Sequence, residues 1–183
     1  MGWQKLLRSE EYNYPSTLGM QSNLTSVGDA QGQIAQFANT GVNNLTSHVG
    51  KVVSWGIASG QTYGEWTLAD ASGSGSSGRQ LLGIVTSETT ALVPKVLLEG
   101  IIRLDGANFS SLGVAEADNP SHMGAPCWVN PQVLGGITHE QSDFNPGHQV
   151  RLCGYILNFD STNATGDEYL NFYFKIDNMF VEL

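Results

Sequence analysis

The sequence predicts an all-β protein: a compact sandwich or small barrel of about seven to nine strands with an extended N-terminal arm. Three observations predict it. Charged residues make up only 14% of the 183-residue chain while glycines number 22, a balance that favours many tight turns over solvated helices. Apolar residues recur with period two, the spacing that sends alternate side chains to opposite faces of a pleated strand. These runs come about every ten residues, divided by Gly, Ser, Asn and Asp clusters, with no helical periodicity between them.

Residues 1–50 read as the arm and residues 51–183 as the β domain. Trp3, Leu6 and Leu7 fit a short helix that Tyr12-Asn13-Tyr14-Pro15 ends. Residues 16–50 are rich in Gln, Asn, Gly and Ser, with isolated apolar residues such as Leu24, Ile34, Phe37 and Leu45. Such a stretch buries too little apolar area by itself to offset its ordering entropy. It is expected to fold onto another surface.

The strands follow in order. KVVSWGI (51–57) sets Val53, Trp55 and Ile57 against Val52, Ser54 and Gly56. YGEWTLAD (63–70), RQLLGIVTS (79–87) and KVLLEGIIRL (95–104) come next, the last alternating Val96, Leu98, Gly100, Ile102 and Leu104 against Leu97, Glu99, Ile101 and Arg103. APCWVN (125–130) and QVLGGITHE (132–140) are joined at Asn130-Pro131. In QVRLCGYILNF (149–159), Val150, Leu152, Gly154 and Ile156 share one face and Arg151, Cys153, Tyr155 and Leu157 the other. The second face is too apolar for open water, so a sheet or another copy is expected to cover it. EYLNFYFKIDNMFVEL (168–183) closes the sheet after the turn-rich DSTNATGDE, with Leu170, Phe172, Phe174 and Ile176 on one face. An exposed apolar edge here invites aggregation, so the last strand is expected to be paired or covered. Gly83, Gly100, Gly135 and Gly154 lie where bulges or tight corners are expected.

The net charge of −9 opposes nucleic-acid binding, which needs a basic footprint. No run of about eighteen apolar residues is present to span a membrane, and MGWQKLLRSEEYNYP lacks the apolar core of a signal peptide. Gly2 suggests myristoylation, but Leu6 stands where that motif takes Ser or Thr. Synthesis in a cytoplasm is expected, with Cys127 and Cys153 as reduced core residues.

The chemistry inventory is short. GSGSSG (73–78) matches G-x-G-x-x-G, but a pyrophosphate site needs a helix N-terminus after it, and a strand follows. His122, Cys127, His139, His148 and Cys153 show no paired metal-ligand spacing. Glu140 with Asp143, or Asp167 with Glu168, are the carboxylate pairs available for glycoside chemistry, and both fall in turn-rich loops. Trp55, Tyr63, Trp66 and Trp128 suit either a sugar-binding face or a core. No Ser nucleophile elbow is present. The expectation is a protein without enzymatic activity, metal or cofactor.

The ordered pieces LLGIV (81–85), VLLEGIIRL (96–104), GAPCWVN (124–130), GGIT (135–138), VRLCGYIL (150–157) and FYFKIDNMFVEL (172–183) resemble a module of tailed-phage virion proteins. That module runs from a Leu-Gly-Ile strand through a Gly-Gly-x-Thr turn and Val-Arg-x-x-Gly-Tyr to a closing Asp-Asn-x-x-Val-Glu. Lys175-Ile176 departs from the Asn-Pro common before Asp-Asn. The resemblance covers residues 80–183 and implies a capsid decoration (cement) protein on the outer surface of the virion. Its partners would be the major capsid protein and itself, as a homotrimer. A fibre or appendage protein binding a host receptor is the alternative. Under the first reading Trp3, Leu6, Leu7, Tyr12 and Tyr14 are candidate capsid contacts, and Tyr155 and Leu157 candidate subunit contacts.

Overall fold

A computed structural model describes residues 24, 26–36, 44–57, 64–72, 80–91, 93–105, 123–160, 169–177 and 180–182. They contain ten strands, two short 3-10 turns and no α-helix. The strands are β1 (Ala30–Gln36), β2 (Val52–Ile57), β3 (Gly64–Leu68), β4 (Leu81–Val85), β5 (Lys95–Asp105), β6 (Pro126–Val129), β7 (Ile137–Thr138), β8 (Gln149–Asp160), β9 (Tyr169–Lys175) and β10 (Phe180–Glu182). Eight run antiparallel in the order β3-β2-β4-β5-β9-β8-β6-β7, curled into a half-barrel, while β1 joins β5 and β10 joins β8. The all-β expectation holds. The GSGSSG stretch lies outside the described residues, and β4 follows it.

The concave side holds the main core. Ile84, Leu97, Ile102, Ile137, Ile156, Phe172 and Phe174 are among its fully buried members. The free thiols Cys127 and Cys153 are buried in the same cluster, as reduced core residues. The ends of the curl meet through the backbone. Val52 N donates to Gly135 O at 2.9 Å, Gly135 N to Ala69 O at 2.8 Å and Gln149 N to Ala71 O at 2.9 Å. Gly135, at φ +68°, occupies the left-handed region that lets the turn before β7 reach between β2 and the end of β3. Most of QVLGGITHE is that turn rather than strand, because Asn130 Oδ1 accepts from both Gln132 N and Val133 N and bends the chain.

A second core lies on the convex side of β2, β3, β4 and the start of β5. Val53, Trp66, Val85 and Val96 pack there with Ala35 of β1 and with Leu45, which is buried in the 3-10 turn Leu45–His48. Val52 and Val53 are therefore both fully buried, on opposite faces. Within the stretch read as an arm, residues 30–36 form β1 and pair with β5, and Leu24 is buried where Arg103 Nη1 donates to its carbonyl at 3.0 Å. Residues 1–23 lie outside the described residues.

Two strands depart from simple alternation, β5 through one extra residue and β8 through two. In β5 the register against β1 jumps from Glu99 to Leu97. Leu97 and Ile102 consequently enter the same core, which strict alternation forbids. In β8 Cys127 pairs with Gly154 but Trp128 with Leu152. Cys153 is the extra residue, so Cys153 and Ile156 share the concave core and only Tyr155 between them turns outward. The expected face of Arg151, Cys153, Tyr155 and Leu157 is thus divided by this bulge. A further slip beyond Ile156 leaves Leu157 unpaired opposite β9 and 40% exposed.

Candidate interaction face

The half-barrel's convex side changes character past the β5 bulge. Gln31, Ile101, Tyr173, Tyr155 and Pro126 are successive cross-strand partners over β1, β5, β9, β8 and β6. Directly opposed residues of an antiparallel pair share a face with Cβ atoms about 5 Å apart, so the five form one outward row. Phe172 and Phe174, flanking Tyr173, are fully buried, while Ile101, Tyr173 and Tyr155 are half-buried and Pro126 is exposed. A parallel row of Gln33, Glu99 and Lys175 borders it. There the Tyr173 hydroxyl donates to Glu99 Oε1 at 3.2 Å, and Lys175 Nζ stands 3.9 Å from the same oxygen. Burial is the main influence raising the Tyr173 phenol; Lys175 opposes it and Glu99 adds to it. The hydroxyl stays neutral and available as a donor.

The convex face is therefore apolar and aromatic at its centre and charged along one border. That combination suits a protein surface more than a small molecule. Tyr155 sits inside the row, and Leu157 is exposed at the slip two residues further on. Trp3, Leu6, Leu7, Tyr12 and Tyr14 lie outside the described residues, as do His122, Asp167, Glu168 and Tyr63. The row escaped the sequence reading because it is assembled from five strands, and only the register brings its members together.

The remaining candidates resolve into structural roles. Trp66 is fully buried in the second core, and Trp55 meets it edge-on at 5.3 Å between ring centroids. Trp128 packs edge-on against Phe144 at 6.4 Å. Asp143 is buried and accepts from Thr138 Oγ1 at 2.6 Å, so this carboxylate braces the loop after β7. Glu140 pairs with His139, Nε2 to Oε1 at 3.1 Å. His148 Nδ1 accepts from Asn145 N at 3.0 Å. Among the described residues no three His, Cys, Asp or Glu side chains are placed to hold a metal ion. No helix of the described residues is long and apolar enough to cross a membrane.

An open cleft of about 290 Å³ lies beside β1, between residues 28–34 and residues 86–88. Asp29 works on its wall, accepting from Ser26 N at 2.8 Å and Ser87 Oγ at 3.0 Å. No protein-family model matches the chain, and neither does any curated protein or solved structure.

Proposed function

We propose that this protein is a capsid decoration protein of a tailed phage, a β knob that binds the major capsid protein shell and stabilises the head. The observation that carries the reading is where the phage-module pieces fall. LLGIV, VLLEGIIRL, GAPCWVN, GGIT, VRLCGYIL and FYFKIDNMFVEL lie on β4 through β10, and their most distinctive residues are the ones that set backbone geometry. Gly100 and Gly154 take φ of +145° and +155°, Gly135 closes the curl, and buried Arg151 ties β8 to Asp177 O at 3.4 Å. The resemblance thus rests on positions that determine the fold. The Ile101–Tyr173–Tyr155 row supports self-association of the knob as a homotrimer, with Tyr155 and Leu157 in the contact.

In this reading the first residues of the chain, with Trp3, Leu6, Leu7, Tyr12 and Tyr14, anchor the knob to the shell. A repeated lattice multiplies such weak contacts by avidity. Deleting residues 1–15 should leave a folded protein that no longer decorates heads. Stoichiometric binding by the deletion variant would remove those residues from the role. The fibre or appendage reading draws on the same tyrosine row, since tyrosines also stack on sugars. A glycan array with purified protein, beside labelling on intact particles, separates the two.

A further inference from the structure

We propose that the outer edge of β1 pairs antiparallel with β1 of a second copy about a two-fold axis. Among the described residues β1 pairs with β5 alone, leaving its other edge without a strand. Sheets protect such edges with charges, prolines or shortness. The other terminal strands follow that rule: β10 and β7 are three and two residues long, and β3 carries Glu65 as an inward, buried charge. By contrast, β1 is seven residues of AQGQIAQ with neither charge nor proline.

The edge is preformed, because the Gly32–Gly100 approach and the ladder to β5 fix β1 in place. The open cleft beside residues 28–34 leaves room along it, and Ile34, 40% exposed, adds apolar contact. Two features choose a second copy as the occupant. A chain of net charge −9 meets its own copy most favourably along a strand without charge. Of the acids on the cleft wall, Glu88 is paired with Lys95, while Asp29 accepts from Ser26 and Ser87. Gln31 and Gln36 each offer both a donor and an acceptor, so Gln31 of one copy opposite Gln36 of the other, an arrangement a two-fold axis makes twice, satisfies both. The contact does not rest on the virion reading; it uses the outer edge of β1, where the outward row ends at Gln31, whereas Tyr155 lies three strands away on β8.

Sedimentation over a concentration series tests it, with two variant chains: Ile34→Lys with Gln36→Lys, and Ile34→Glu with Gln36→Glu. Wild type should form dimers, or hexamers where the proposed trimer is also present, and never trimers alone. Each variant alone should associate at least about tenfold more weakly, since like charges then meet across the ribbon, and an equimolar mixture should regain association. A wild type monomeric throughout the series, or variants that associate like wild type, would overturn the proposal, as would a mixture that regains nothing. Hydrogen exchange on wild type supplies a check free of substitutions. Protection of β1 amides should rise with protein concentration while that of β9 stays constant. Concentration-independent protection of β1 would equally overturn it.

Discussion

Gly32 faces Gly100 across β1 and β5 so closely that a Cβ on either would lie 2.1 Å from a backbone carbonyl of the other strand. The same row continues through Phe174 to Gly154 and Cys127. Gly154 repeats the arrangement, its missing Cβ 2.1 Å from Tyr173 O. Three glycines thus allow the backbones to crowd on the concave side while Phe174 fills the core beside them.

Gly100→Ala should therefore cost about 2–4 kcal/mol, combining a disfavoured φ with a collision against backbone that cannot swing aside. Gly124, with open space around it, is the control at a different positive φ of +82°, and Gly124→Ala should lose only about 1 kcal/mol. Denaturant midpoints measure both. Equal losses would mean that the close approach is not what demands glycine.

Leu45→Ala should destabilise by about 2–4 kcal/mol, since Leu45 caps the second core over Val53 and Trp66. Leu134, 55% exposed, should tolerate alanine within about 0.5 kcal/mol. The same unfolding titrations decide whether residues 30–50 are part of the cooperative unit.

Stability should fall on the alkaline side. Burial raises both thiols above their ordinary value of 9.0, with Cys127 adding to the effect at Cys153. A raised folded-state value means the unfolded chain releases its thiol protons first. The contribution is complete below pH 9.0 and is lost as pH rises above it, by about 1.4 kcal/mol per unit per thiol. The double variant Cys127→Ala with Cys153→Ala should flatten that slope. A thiol reagent should label the wild type only on unfolding.

Arg151→Met keeps the aliphatic stem but withdraws the donors that reach Asp177 O and Gln80 O. Leaving those carbonyls unmet should cost about 1–3 kcal/mol. Because β10 pairs with residues 149–151 of β8, the change should also speed hydrogen exchange there. Deleting residues 179–183 should lower the soluble fraction by baring that ladder. Unchanged exchange and solubility would show that β10 contributes little.

Period-two alternation revealed β2, β4 and β9, because each keeps its phase from end to end. It misassigned the faces of β5 and β8, since an extra residue at Leu98 or Cys153 leaves no mark on composition. Gly100 and Gly154 mark both irregularities, but a glycine in a strand does not say which neighbour is extra. AQGQIAQ was unreadable as a strand for another reason. Its place comes from its ladder to β5, while its own apolar content is slight. The convex row was hidden likewise, as Ile101, Tyr173 and Tyr155 are distant in sequence and only register unites them.

The hydrogen bonds that join the curl's two ends connect Val52 and Ala69 to Gly135, and Ala71 to Gln149. These partners lie far apart along the chain, so the closure entropy of long loops must be met before the contacts form. Topology of this kind places folding in the slow regime of about milliseconds to seconds. The seam between β2 and the turn before β7 would then be among the last parts of the molecule to form. Until it does, nascent chains hold an open sheet with both ends bare, the state most vulnerable to mispairing during synthesis.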